Sequence, residues 1–240
     1  MASLTAIKKD ANNTTSIVFN GNKKLVDTDN VKYMQFNTPA HITCPYASEG
    51  CSKFCYVDKA EAIYPSVREN HNKSLEYSKM PDFVERTTNT IRKALDTKKY
   101  KGFTALMRLH ESGDFYSVKY LTDWLDITNN LTDCDYITHF YTKSFQFFID
   151  MDDAHKTIFA DLLASGHIVA NWSVDETTTA EQWERVETLK ALYPNTNVYF
   201  ALPNEHIIEN EFTHICRCAD CGECRICSTS QGSFTAVGIH

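Results

Sequence analysis

The stretch TALMRLHESGDF, Thr104–Phe115, decides the fold, because an apolar run of strand length stops abruptly in a polar cluster around a glycine. Thr104 to Leu109 reads as a strand, and Val118 to Leu131 beyond it as a helix. The same unit recurs downstream. Tyr136 to Tyr141 is a strand ending at YTKS, followed by a helix from Phe147 to Ala164 that Gly166 closes. Ile168 to Trp172 is a strand ending at WSVDE, Ala180 to Leu192 a helix, and Val198 to Leu202 a strand ending at Pro203. Upstream, Tyr33 to Asn37 reads as a strand, and Tyr64 to Lys79 and Pro81 to Thr97 as helices, while Phe234 to Ile239 reads as a closing strand. Strands alternating with helices predict parallel βα units. The expected fold is α/β, a partial or irregular (β/α) barrel of about six parallel strands.

The chain of 240 residues is expected to form a single barrel-like domain over 1–240, with a lead-in over 1–30 and a cysteine-rich loop over 214–230. The lead-in holds one short expected strand, Thr15 to Phe19, and the Asn20-Gly21 turn signal. An apolar share of 42%, with 14 Phe and 12 Tyr, is ample for a buried core. The formal charge of -7, without a basic run, argues against a general nucleic-acid grip, which rests on positive surface. The segment MASLTAIKKDANN lacks the apolar stretch of a secretory signal, and no segment reaches membrane-spanning length, so a cytoplasmic protein is expected. Oligomeric state leaves no sequence signal.

Nine cysteines are present, eight of them in two groups. CPYASEGCSKFCY places Cys44, Cys51 and Cys55 in one loop after the first strand, and CRCADCGECRIC supplies Cys216, Cys218, Cys221, Cys224 and Cys227. Clustered cysteines in a larger intracellular chain more often bind metal than form disulfides. Thiolates suit iron–sulfur clusters or zinc, and the two-residue spacing from Cys218 onward is close to the opening of bacterial ferredoxins. The expected metal ligands are Cys44, Cys51 and Cys55 with one of Cys221, Cys224 or Cys227, holding a [4Fe-4S] cluster at the C-terminal strand ends. Zinc is the alternative metal. Cys134, alone after a helix, reads as a small buried hydrophobe.

Beyond the thiols, RLHESGDF collects Arg108, a candidate base (His110), a carboxylate (Glu111), a hydroxyl (Ser112) and a second carboxylate (Asp114) at one strand end. Strand alternation places Arg108 and His110 on one side, and Gly113 permits a tight turn. The competing reading is that Ser112 and Asp114 cap the following helix. Tyr141, Thr142, Lys143 and Ser144, and then Asn171, Ser173 and Asp175, end the next two strands as substrate-binding or turn residues. His139, His155, His167 and His206 read as surface or packed histidines. No nucleophile elbow, Walker loop or G-x-G-x-x-G occurs.

The early cysteine loop, with GCSKFCY ending in an aromatic residue after a strand, resembles the cluster loop of radical SAM enzymes. More closely, GNKKL, CPYASEGCSKFCY, RLHESGDF, YTKS, CGECRIC and the terminal His240 are together similar to a bacteriophage family of cysteine-rich proteins related to the radical SAM barrel, over Gly21 to His240. That resemblance implies an iron–sulfur protein in a host cytoplasm. The gaps of six and three residues between the early thiols differ from the C-x3-C-x2-C of radical SAM enzymes, which leaves one iron open to SAM. The expected function is a [4Fe-4S] enzyme hydrolysing a small ester or amide, with His110 as base, Glu111 or Asp114 orienting it, and Ser112 or water as nucleophile. The alternatives are a radical SAM-type enzyme with an open cluster iron and the late cysteines on a second metal, and a non-enzymatic electron-transfer or structural iron–sulfur protein.

Overall fold

In the computed structural model, residue 27 and residues 30–208, 211–216 and 224–239 are described. The expected strand Thr15 to Phe19, the turn at Asn20-Gly21, His240 and the thiols Cys218 and Cys221 lie outside them. Among the described residues seven strands, all parallel, form one sheet: β1 (Val31–Phe36), β2 (Thr104–Leu109), β3 (Tyr136–Thr142), β4 (Ile168–Asp175), β5 (Asn197–Pro203), β6 (His214–Cys216) and β7 (Phe234–Ile239). Their order is β1-β2-β3-β4-β5-β7-β6, and the sheet curls into a half-barrel. The strand beyond the expected six is β6, a three-residue edge in the region read as a cysteine-rich loop; His-Ile-Cys is too short to carry a period-2 pattern.

The first five strands follow chain order. Right-handed crossovers that all step the same way place their helices on the same face of the sheet. Those helices are α4 (Phe83–Leu95), α5 (Val118–Asn129), α6 (Phe145–Asp150), α7 (Asp153–Ala164) and α8 (Ala180–Leu192). Before them come α1 (Glu49–Lys53), α2 (Tyr56–Ile63) and α3 (Pro65–Ser78). The single expected helix from Phe147 to Ala164 is two, α6 and α7. The chain turns extended at Met151, and the Asp152 side chain accepts from the His155 N–H to cap a new helix. Proline at 81 precedes α4, which begins at Phe83.

Alternation along each strand then sorts the residues. Met34, Phe36, Met107, Leu109, Phe140 and Trp172 turn to the helices and form one cluster with Phe83, Trp124, Phe148 and Phe159. Phe148 is fully buried at the centre, edge-on to Trp172 at 4.9 Å between ring centroids and to Phe115 at 5.6 Å. The Trp172 indole N–H donates to Thr196 Oγ1 at 2.8 Å, so that ring is buried without an orphaned donor. Cys134 is half-buried at the edge of this layer rather than inside it, with its sulfur 3.6 Å from an Arg92 nitrogen. No helix among the described residues is long and apolar enough to cross a membrane.

Because the rings around Phe148 cannot collapse into the space it fills, Phe148→Ala is expected to cost about 3–5 kcal/mol in urea unfolding. Phe54→Ala, at a side chain 65% exposed, is expected to change stability by less than about 0.5 kcal/mol.

Candidate metal centre at the mouth of the sheet

The loop after β1 is locked to the loop after β2 before any metal is considered. Asn37 Oδ1 accepts from the backbone N–H of Glu111 at 2.8 Å, and Thr38 N–H donates to the Ser112 carbonyl at 3.0 Å. Ser112 Oγ donates back to the Thr38 carbonyl at 2.8 Å. Gly113 sits between them at φ 83°, where a Cβ would lie 2.0 Å from Thr38 Oγ1, so no other residue fits.

From this anchor the early cysteine loop crosses the strand ends. Ser48 caps α1, accepting from the Cys51 N–H at 3.2 Å, and its hydroxyl also donates to Asp175 at the end of β4. Asp175 in turn pairs with Lys143 Nζ at 2.9 Å, both side chains nearly buried, and the same ammonium donates to the Ser173 carbonyl at 3.0 Å. Gly50 N–H donates to Thr177 Oγ1 at 2.8 Å, and the Tyr56 hydroxyl donates to the Glu111 carbonyl. The loop is thereby fastened to the ends of β2 and β4. Cys51 lies in α1 and Cys55 caps α2, with the chain bending at Phe54 between them, so the two are not on one continuous helix.

The three early thiols are neighbours. Burial pushes the Cys44 thiol up to about 12, and charge on Asp114, Cys51 and Cys55 adds to the shift. Burial likewise raises Cys51, where Lys143 acts the other way and Cys55, Asp175 and Asp114 reinforce it. The trio therefore sits over the ends of β2, β3 and β4. Among the described residues, one group of three ligand atoms lies within 4.8 Å of one another, His41, Cys55 and Asp58. The three early sulfurs are more widely spread than that. Thiolates ligate zinc and iron–sulfur clusters alike, so the early group offers three donors of a type that either would use.

The late group forms its own neighbourhood. A short helix α9 (Ile226–Thr229) packs on β3 and β4, and Asn171 Nδ2 donates to the Cys227 carbonyl at 2.9 Å. Burial pushes the Cys227 thiol up to about 11, with Cys216 and Cys224 close enough to add to the shift and the Tyr141 hydroxyl against its sulfur. Cys224 Sγ lies 3.2 Å from His214 Nε2. His214 escaped the sequence reading because the two-residue strand spacing to Cys216 has no signature of its own.

The residues of HESGD are brought together, each already engaged. His110 does not share a face with Arg108. It adopts a left-handed backbone, φ 61°, and turns into the helix layer, edge-on to Phe115 at 4.7 Å with Nε2 3.0 Å from the Tyr120 hydroxyl. Burial there lowers its pKa to about 3. Asp114 accepts from Thr142 Oγ1 at 2.6 Å and from the backbone N–H groups of Lys143 at 2.9 Å and Phe115 at 2.7 Å; burial outweighs these bonds and raises its pKa to about 6. Glu111 faces Arg108 at 3.8 Å. Ser112 and Asp114 thus join loops, and neither caps α5, whose N-cap is Ser117, its side chain accepting from the Tyr120 N–H at 3.1 Å.

The fold and site define an α/β half-barrel with a cysteine-lined mouth. The sequence profile described as Gene product 88 matches residues 9–230, and the chain belongs to that family, which is phage-type. No curated protein and no solved structure matches the chain.

His110 has a consequence for acid stability. Its folded pKa lies below the unfolded value of about 6.5, so below that pH the unfolded chain takes up the proton first. Its contribution to stability is complete above pH 6.5 and is lost as pH falls towards 3, by up to about 1.4 kcal/mol per pH unit. In chemical denaturation between pH 7 and 4, the wild-type profile is expected to fall more steeply than that of His110→Gln by that slope.

Proposed function

We propose that the protein is an iron–sulfur enzyme in which Cys44, Cys51 and Cys55 hold a [4Fe-4S] cluster at the mouth of the half-barrel and the adjoining strand ends bind a small-molecule substrate. The observation that carries this reading is the proximity of three thiols to one another, Cys44 and Cys55 half-buried and Cys51 exposed, on a loop fastened over the strand ends beside Asp114, Lys143 and Asp175.

The late group supports a second element of the proposal. The contact of Cys224 with His214 and the proximity of Cys216 and Cys224 to Cys227 favour a separate metal on these residues, zinc being the simplest. The cluster then lacks a fourth protein thiolate from this group, and its remaining iron is open to SAM or substrate. A cluster of that kind supplies an electron to a molecule bound at the open iron. The contrasting arrangement, with Cys221, Cys224 or Cys227 closing the cluster, would staple the two cysteine regions together.

Among the strand-end residues, Asp114 is better suited to acid/base work than His110, because burial raises its carboxyl to about 6 and it lies close to Cys44 and Cys51. Hydrolysis with His110 as base has little support from a histidine packed against Tyr120, and Ser112 is committed to Thr38. The protein's own contribution is a charged, partly closed rim: Lys143 and Asp175 hold the loop, and Arg108 with Tyr56 and Tyr141 lines the entry.

Anaerobic purification is expected to give brown protein with about four irons and about four sulfides per chain. Cys51→Ser is expected to bleach it and lower the melting temperature, since metal-binding free energy is here partly folding free energy. Cys227→Ser should keep the iron and lose zinc. Addition of SAM is expected to change the EPR spectrum of the reduced cluster; an unchanged spectrum, with iron lost in Cys227→Ser, would establish four-cysteine ligation instead. Protein that takes up only zinc, lost in Cys51→Ser, would overturn the cluster altogether.

A further inference from the structure

The concave face of the sheet, opposite the helices, carries a row that no structural need explains. Gln35 on β1 is in register with Arg108 on β2, and Arg108 with His139 on β3. Gln35 is 4% exposed and His139 2%. Gln35 Nε2, Arg108 Nε and both ring nitrogens of His139 have no hydrogen-bond partner. A buried donor or acceptor left unpaired destabilises the fold, so three adjacent strands presenting such groups side by side are poorly explained by packing. His139 is in turn in register with Val169, and the row lies beside the small apolar cluster of Val31, Tyr33 and Leu106; on its other side polar and aromatic residues follow. Tyr141 is in register with Asn171 and Asn171 with Asn197, the Arg108 guanidinium lies over the Tyr141 ring at 5.2 Å, and the Tyr199 ring stands 4.7 Å from Tyr141.

We propose that this row is a binding site for a small monocarboxylate carrying a neighbouring hydroxyl or amide, received by Gln35, Arg108 and His139. The donors set the class. Arg108 Nε–H and Gln35 Nε2–H have no acceptor on the protein, and a carboxylate accepts from both. The net charge sets its size: Glu111 lies 3.8 Å from Arg108, and Lys143 is paired with Asp175, so the face offers less than one full positive charge and suits a monoanion better than a phosphate dianion. The imidazole sets the second group. Burial, reinforced by the charge on Arg108, holds His139 neutral, with one N–H to donate and one nitrogen to accept from a hydroxyl or amide. Tyr141 supplies the flat wall. The Arg108 side chain, at the middle of the row, is 20% exposed and is the point at which a ligand reaches it.

This site goes beyond the proposed metal centre and needs no metal, so the two fail separately. The test is calorimetric titration and thermal unfolding of the full chain, prepared anaerobically with its iron content measured, using L-lactate and methyl phosphate as probes. L-Lactate is expected to bind saturably and raise the melting temperature, with methyl phosphate weaker by roughly tenfold or more. Arg108→Gln and His139→Phe are expected to weaken L-lactate by roughly tenfold or more. Without ligand, His139→Phe is expected to melt about 2–4 °C above wild type, because an unpaired buried imidazole is replaced by an apolar ring of similar shape. No saturable L-lactate binding, binding unchanged in both variants, tighter binding of methyl phosphate, or a lower melting temperature for His139→Phe would each overturn the proposal.

Discussion

The direction in which the crossovers step is the constraint on which this molecule depends. Five parallel strands laid down in chain order, joined by right-handed connections, send their helices to one face. That face receives the aromatic core built around Phe148 and Trp172. Among the described residues the other face carries no comparable helical layer, and polar side chains stand there beside the small cluster of Val31, Tyr33 and Leu106. Gln35, Arg108, His139, Asn171 and Asn197 occupy positions that a doubly covered parallel sheet would give to valine or leucine. The same geometry gathers the C-terminal strand ends along one rim, where the polar clusters and the early thiols meet.

What holds that rim is a set of hydrogen bonds between loops distant in sequence. Asn37 and Thr38 bond Glu111 and Ser112, Ser48 bonds Asp175, and Asp114 bonds Thr142 and the Lys143 backbone. Each contributes about 1 kcal/mol net, yet together they determine where Cys44 and Cys51 stand. A loop fastened at several points holds its thiols in place before metal arrives, which limits the ordering cost of ligation. HESGD therefore serves the site by placing the cysteine loop, through a glycine no other residue can replace.

The two faces differ in how their polar groups are placed. The helix-facing layer pairs Trp172 with Thr196 and Thr138 with Thr128, whose hydroxyls lie 2.8 Å apart, and leaves single atoms of Trp124 and His110 without a partner. The concave layer sets Gln35, Arg108 and His139 side by side in register, each with an unpartnered nitrogen. That adjacency, more than the presence of unsatisfied atoms, distinguishes the concave face.

The boundaries of β2 and β7, the helices α5 and α8, and the parallel α/β class were all legible from periodicity and turn residues, because each is a local pattern repeated along the chain. The thiol groups were legible too, as composition and spacing. Residue order along the chain could not reveal that α6 and α7 are separate helices, that His-Ile-Cys adds a seventh strand, or that His214 stands beside Cys224, since a short edge strand and a cap depend on what they pack against. His110 shows the limit most clearly. Alternation put it beside Arg108, but a left-handed backbone turned it into the core, whereas His139, one of several scattered histidines by sequence, sits in register with Arg108 across two strands. Sequence by itself determined the units and the chemistry available; tertiary structure alone decided which side chains share a face, because register and backbone hand are set by contacts between segments and not within them.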